Sequence, residues 1–296
     1  MKIFNILQNN LTKGKAMQKQ KKIAAINDIS CIGKCSLTVA LPLLSAAGFE
    51  VCPLPTALLS THTGDFKGYT FMDLTSQLSP IANHWKSFGA SFDAVYSGYL
   101  GSYKQLEFTK SFIDDFGKNA LTLVDPVMAD HGRLYAGFDM DFVKGMKALC
   151  EKADVLVPNI TEACLLTDTP YLGEIQNKKD VSQLCEKLCA ICGGNVIITG
   201  VSFDDEKMGA AVCFDGRTEY VFSDKLDIVY HGTGDVFASA LLAALLRDFS
   251  SVDAIRVAVD FVCECIKQTI KTSGRNHYGV NFELCIKKLL EMLKII

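Results

Sequence analysis

The chain predicts a doubly wound α/β domain, a mostly parallel sheet with helices on both faces. Three observations predict it. Short apolar runs alternate with helix-length segments along nearly the whole chain. The runs are continuously apolar, as strands covered on both faces are. No internal repeat or linker interrupts the 296 residues, which suits a single domain.

Each element follows in order. Lys22–Ile26 (KIAAI) is the first strand and ends at the polar pair Asn27-Asp28. Leu37–Ala47 has apolar residues at helical spacing and stops at Gly48, a C-cap signal. Glu50–Leu54 is the second strand, followed by a loop rich in Ser, Thr and Gly, Ser60–Gly68. Leu74–Phe88 is a helix, Ala94–Ser97 a strand, and Tyr103–Phe116 a helix closed by Gly117. Leu121–Val124 is a strand ending at Asp125-Pro126, and Phe138–Lys152 a helix. Val155–Val157 is a strand ending at Pro158-Asn159; helices follow at Thr161–Thr167 and Asp180–Ile191. Val196–Ile198 is a strand ending at Thr199-Gly200. Ala210–Phe214 and Glu219–Phe222 look like a hairpin, and helices at Asp235–Leu246, Val252–Lys271 and Phe282–Lys294 complete the chain.

Composition narrows the function. Hydrophobic residues make up 49% and charged residues 21%, a packed globular composition. Lys and Arg number 30 against 33 Asp and Glu, so a globally basic nucleic-acid binder is excluded. No run of apolar residues is long enough to span a membrane. The 12 cysteines are scattered and no signal peptide precedes them, so they read as reduced, mostly buried thiols of a cytoplasmic protein. Residues 1–20 are polar and Lys-rich and read as a flexible extension, with Met17 an alternative start.

In parallel sheets a ligand sits beyond the carboxyl ends of the strands. His231-Gly232-Thr233-Gly234-Asp235 carries the strongest signal there. Two glycines let backbone N–H groups converge, and the helix that follows adds unpaired amides and a positive dipole end. That combination suits a phosphate. Asp235 at its mouth reads either as the helix N-cap or as the acceptor of a proton from an attacking hydroxyl. Asp125 places a carboxylate at a strand end. Asn159 and Glu162 read as a capping box, as the edge of a divalent-cation site, or as both. Neither a P-loop nor a GxGxxG strand–helix motif is present.

With these residues in view, the chain resembles the ribokinase-like vitamin and sugar kinases, most closely the pyridoxal (vitamin B6) kinases. The tract Pro53–Thr63 (PLPTALLSTHT), Ser97–Gly101 (SGYLG), Asp125–Val127, Pro158-Asn159 with Glu162, and Gly232–Asp235 carry the resemblance. It runs from Lys22 to the last helix. It implies ATP-dependent phosphorylation of the 5′-hydroxymethyl of pyridoxal, pyridoxine or pyridoxamine. Asp235 then stands as the base, with Gly232, Thr233 and Gly234 as the anion hole. Ser60, His62, Thr63 and Tyr99 fall among the vitamin contacts. Asp125, Asn159, Glu162, Thr199, Gly200, Tyr230 and Thr233 fall on the ATP side, with Asp125 and Glu162 near Mg²⁺, partly through water. The resemblance also implies a homodimer and a monovalent cation.

One position departs from the family. Asn27-Asp28-Ile29 replaces the usual Gln-Ser-His, so Asp28 takes the place of a serine that meets the pyridine ring. As a carboxylate it would pair with a protonated ring nitrogen or an aminomethyl group. A hydroxymethylpyrimidine or sugar kinase is the alternative, and a non-catalytic vitamin binder the other; many hydroxymethylpyrimidine kinases carry Cys where this chain has Asp235. Cys185, Cys189 and Cys192 have the spacing of an iron–sulfur motif but lie along one helix face, which reads as core packing. Cys31 and Cys35 fall beside the expected vitamin site, and their reactivity stays open.

Overall fold

The structure is a computed structural model and describes residues 19–64, 66–214, 216–226, 228–273 and 278–296. The expected extension over 1–20 lies outside them except for its last two residues. From the N-terminus the elements are β1 (Lys22–Ser30), α1 (Leu37–Ala46), β2 (Glu50–Leu59), β3 (Phe71–Asp73), α2 (Thr75–Ser87) and β4 (Ala94–Ser97). Then come α3 (Tyr103–Phe116), β5 (Leu121–Val124), the short pair β6 (Ala129–Asp130) and β7 (Arg133–Leu134), α4 (Met140–Cys150) and β8 (Val155–Leu156). The rest is α5 (Ile160–Leu166), α6 (Lys178–Cys192), β9 (Asn195–Val201), β10 (Lys207–Phe214), β11 (Arg217–Asp224), α7 (Thr233–Leu246), α8 (Ser251–Ser273), a 3₁₀ turn (Phe282–Cys285) and α9 (Ile286–Met292).

Among the described residues one sheet has nine strands in the order β11-β10-β9-β8-β5-β4-β1-β2-β3. The six from β9 to β2 are parallel; at the edges β3 pairs antiparallel with β2, β10 with β9, and β11 with β10. The expected doubly wound α/β architecture is therefore present. The chain steps from β1 to β2 on one side and later returns to β4 on the other. That reversal between β1 and β4 is the switch point where such sheets open a crevice. Ile26 pairs with Ser97 at its rim.

Two apolar layers cover the sheet. One packs Ile23, Ala25 and Tyr96 under Leu43, Leu44, Leu241 and Phe261 of α1, α7 and α8. The other packs Ala24, Ile26 and Val95 under Phe112, Phe142, Leu166 and Leu188 of α3 to α6. α7 is buried nearly all round from Val236 to Leu246, which fixes its N-terminus against the end of β1.

β1 continues past Ile26 to Ser30, because Asn27, Asp28 and Ser30 are polar yet buried. The β1–β2 register shifts between Asn27 and Ile29, a bulge that re-aims side chains at the crevice. β2 also runs on, to Leu59, through Pro53 and Pro55. Both prolines precede the stretch that pairs with β3, where a missing N–H breaks no ladder bond. The expected last helix divides into a 3₁₀ turn and α9.

Candidate active site

The glycine loop builds an anion cradle. Gly232 is the N-cap of α7, with φ 76° and ψ 2°. A Cβ on Gly232 would lie 2.1 Å from the Lys34 carbonyl oxygen and 3.3 Å from Cys35 Sγ, so glycine is required twice over. Gly234 is exposed and has open space where a side chain would stand. The first amides of α7 therefore face a gap of phosphate character. Thr233 turns its hydroxyl back to the Tyr230 carbonyl, 3.3 Å away.

Asp235 is not the cap. It sits in the first turn of α7, and no side chain makes a capping bond there. Instead its carboxylate meets β1 and the loop before α1. Asn27 Nδ2 donates to Asp235 Oδ1 at 3.4 Å, and the Ser36 amide donates to the same carboxylate. Burial pushes Asp235 up to about 6, and the charge of Asp28 adds to this, while those two donors oppose it. A carboxylate poised there holds a proton transiently near neutral pH, as a general base must.

The loop between β1 and α1 is wound to serve this carboxylate. Gly33, Lys34 and Ser36 all have positive φ, at 122°, 57° and 59°. For Lys34 and Ser36 that conformation is strained, and it persists only where the surroundings fix it. Lys34 is fixed by bonds from its ammonium to Asn281 Oδ1 (2.7 Å) and Glu283 Oε2 (2.8 Å). Ser36 gives its amide to Asp235 and its hydroxyl to Asp28.

Asp28 departs from the expected role. It is 4% exposed, and its carboxylate takes hydroxyl bonds from Ser36 and from Ser30 (2.8 Å). Both oxygens are engaged inside the protein, so no free carboxylate is presented to a ligand ring. Burial raises its pKa despite those donors. Its charge reaches Asp235, Cys35 and Tyr99.

His62 also has a structural task. Its Nδ1 accepts from the Gly64 amide at 3.0 Å, so the proton resides on Nε2, which meets the Tyr278 carbonyl at 3.0 Å. His231 lies 4.8 Å away and Phe66 5.0 Å away, ring to ring. His62 thus ties the loop after β2 to the segment after α8. Ser60 accepts from the Thr70 amide (2.9 Å), and Thr63 is exposed on the same loop. Tyr99 is half-buried beyond β4, and burial with the Asp28 charge pushes its hydroxyl up to about 12.

On the other side of the crevice stand Asp125 and Glu162. The capping box forms: Asn159 Oδ1 accepts from the Glu162 amide and Glu162 Oε2 from the Asn159 amide, both at 2.9 Å. Glu162 Oε1 takes the Met128 amide at 3.1 Å, and Asn159 Nδ2 donates to the Ala129 carbonyl at 2.8 Å. Glu162 is thus committed to main-chain donors. Asp125 has no such donors among the described residues; burial, then the charges of Glu162 and Asp235, push it well up. A buried carboxylate in that state calls for a cation. Among the described residues no group of three ligating side chains assembles. One available carboxylate suits a Mg²⁺ that keeps its waters and rests on phosphates.

Thr199 and Gly200 lie within β9, just before its last residue Val201, and Thr199 bridges to Asn159. Tyr230, which the resemblance sets near the adenine, is 2% exposed and packs in the α7–α8 layer. Among the described residues, Ser97 Oγ, Tyr96 OH and Thr61 Oγ1 are buried without a hydrogen-bond partner near the strand ends. All 12 cysteines are free thiols. Cys185 and Cys192 are buried along α6 with Cys189 half-buried, as core packing requires. Cys35 is held neutral by burial and by the charges of Asp235 and Asp28, which removes it as a nucleophile.

Sequence reasoning missed Asn27 and Ser36 as partners of Asp235. The signal for Asn27 was its place where the first apolar run ends; for Ser36 there was none.

The family model described as phosphomethylpyrimidine kinase matches residues 54–281. A Bacteroides thetaiotaomicron protein solved in an orthorhombic form with pyridoxal is 39% identical, with a TM-score of 0.86 over 92% of this chain and 96% of that one. Pyridoxal kinase from Lactobacillus plantarum is 31% identical, with a TM-score of 0.86 over 94% of this chain and 99% of its own. The hydroxymethylpyrimidine/phosphomethylpyrimidine kinase of Bacillus subtilis is 30% identical over 194 residues, 64% of this chain and 68% of that protein.

Proposed function

Because the chain belongs to the phosphomethylpyrimidine kinase family, within the ribokinase-like superfamily, we propose that it transfers the γ-phosphoryl of ATP to the 5′-hydroxymethyl of a B6 vitamer. One observation carries the reading. Asp235 caps nothing, is poised near 6, and stands at the mouth of the Gly232–Gly234 cradle.

The 5′-oxygen attacks the γ-phosphorus in line while Asp235 takes its proton. The bond to the β–γ bridging oxygen breaks and ADP leaves. The amides opening α7 stabilise the charge on the transferring phosphoryl, where each lost donor costs a factor of about 10²–10³. Asp125, with Glu162 behind it, is the group that would hold a hydrated Mg²⁺, whose contribution there would be to neutralise charge on the phosphates. Tyr99, on the β4 side of the crevice, offers a ring and a neutral hydroxyl to the vitamin.

Pyridoxal bound in the Bacteroides thetaiotaomicron relative, itself described as a phosphomethylpyrimidine kinase, and the pyridoxal kinase of Lactobacillus plantarum support a B6 vitamer; hydroxymethylpyrimidine is the substrate named for the Bacillus subtilis relative. An ATP-consumption panel with pyridoxal, pyridoxine, pyridoxamine, hydroxymethylpyrimidine and ribose tests this. The expected result is a B6 vitamer at least tenfold ahead in kcat/KM. A tenfold preference for another acceptor would overturn the substrate, and tight binding with no turnover would overturn the reaction.

The same reading places the protein in the cytoplasm, where its 12 free thiols stay reduced, and takes a second copy as partner. The edge strand β3 exposes Phe71 (48%) and Met72 (59%), apolar surface that a dimer would cover. Light scattering that returns only the 32.4 kDa monomer would refute the dimer. A monovalent-cation requirement is checked by comparing turnover in potassium and tetramethylammonium buffers. Among the described residues no helix is long and apolar enough to cross a membrane.

A further inference from the structure

Asn27 is fully buried at the carboxyl end of β1, on the α7-facing side with Ile23 and Ala25. Its Oδ1 accepts from the amides of Tyr99 (2.8 Å) and Asp28 (3.0 Å). Two donors on one atom fix which end of the amide is oxygen. The NH₂ group therefore faces the other way, with Nδ2 3.4 Å from Asp235 Oδ1. Gly98 makes the room: a Cβ there would stand 2.2 Å from Nδ2. The ends of β1 and β4 and the start of α7 thus meet at one side-chain amide at the switch point.

We propose that Asn27 is the positioning residue for the proton acceptor, holding Oδ1 of Asp235 so that the second oxygen, Oδ2, faces the incoming hydroxyl. The inference rests on Asp235 as the base. Among the described residues, Asp28 on β1, Cys35 before α1, Tyr96 on β4, Asp125 beyond β5 and Tyr135 beyond β7 interact electrostatically with Asp235. None of them brings a positive charge. The amide donors of Ser36 and Asn27 favour the ionised carboxylate against burial and against Asp28, and Asn27 is the side-chain donor. Gly98 serves the same end without touching Asp235, since its missing side chain is what lets the amide close.

Two variants test this. Asn27→Asp keeps an acceptor for both main-chain amides but replaces the donor facing Asp235 with a second acid. Gly98→Ala leaves Asn27 in the chain and forces its amide to turn away; the backbone at Gly98 is not left-handed, so alanine is tolerated there. In both, the acid limb of kcat/KM is expected to move up, by ~1 pH unit or more in Asn27→Asp and by less in Gly98→Ala. Turnover at pH 7 should fall about tenfold in Asn27→Asp and partly return at pH 9. A fall of equal size at every pH, with the acid limb in place, would show a merely structural role and overturn the proposal. Should Asn27→Asp not fold, Gly98→Ala decides alone. Carboxyl ¹³C NMR, with the Asp235 signal assigned by its loss in Asp235→Asn, gives a readout free of turnover. An upward titration shift in Gly98→Ala supports Asn27 even where no acceptor is phosphorylated, and an unshifted one overturns it.

Discussion

A Cβ on Gly232 would stand 2.1 Å from the carbonyl oxygen of Lys34. The anion cradle and the strained loop before α1 are thus in contact at their main chains, and neither can move alone. Gly232→Ala must push the two apart and also leave φ 76°, which costs a non-glycine residue ~1–2 kcal/mol. The expected outcome is a loss of about 10²-fold or more in kcat/KM for ATP, the size of a lost oxyanion donor. Thermal melting checks that the variant still folds. Unchanged ATP kinetics would detach the cradle from the reaction.

Asp125 predicts the metal response. It is a buried carboxylate without a hydrogen-bond donor among the described residues, pushed up by burial and by Glu162. Asp125→Asn removes that charge, so the folded protein should be as stable or more so without metal. The concentration of Mg²⁺ needed for half-maximal turnover should rise at least about tenfold, in line with the affinity lost when a metal's supporting group is removed. A Mg²⁺ titration of turnover with saturating ATP measures it, and an unchanged midpoint would clear Asp125 of the role.

His62 predicts a change in substrate affinity that comes from the loop. Its two ring nitrogens join the Gly64 amide to the Tyr278 carbonyl. His62→Leu keeps the bulk but loses both bonds, a destabilisation of about 1–3 kcal/mol. KM for the vitamer should rise more than kcat falls, because the loop beside the crevice loosens while Asp235 stays in place. A fall in kcat alone would place His62 in the chemistry instead.

The doubly wound sheet was legible because its strands are apolar on both faces, and the cradle because glycines ahead of a buried helix have few other uses. Strand ends were not legible where the fold buries polar residues. Asn27, Asp28 and Ser30 look like a loop by hydropathy, yet they continue β1, since the bulge and the Ser30 and Ser36 hydroxyls pay for their burial. Asp28 illustrates the limit. Its position matched a ligand-facing serine, but its direction depends on Ser36, eight residues away and in a conformation no pattern announces. The burial of Tyr230 was likewise not legible: an aromatic beside the cradle reads as a lining residue, and packing sets its ring in the core.

Asp235 also predicts how stability follows pH. Its folded pKa near 6 stands above the ordinary 3.8, so the unfolded chain ionises first as pH rises. The contribution of Asp235 to stability therefore falls between about pH 4 and pH 6 and stays lost above. Asp235→Asn has no such titration. It should match the wild type at pH 4 and exceed it at pH 8 by about 1–3 kcal/mol, the upper value being the full shift at 1.36 kcal/mol per unit. Denaturant titrations at the two pH values measure the difference, and a variant less stable at pH 8 would contradict the burial of a strained charge.

The most direct measurement is ADP formation with pyridoxal, ATP and Mg²⁺ between pH 5 and 9, for the wild type and for Asp235→Asn. The wild type should show an acid limb near pH 6, and the variant should lose at least ~10²-fold in kcat across the range while remaining folded. Turnover in Asp235→Asn close to that of the wild type would contradict a carboxylate base at the glycine cradle.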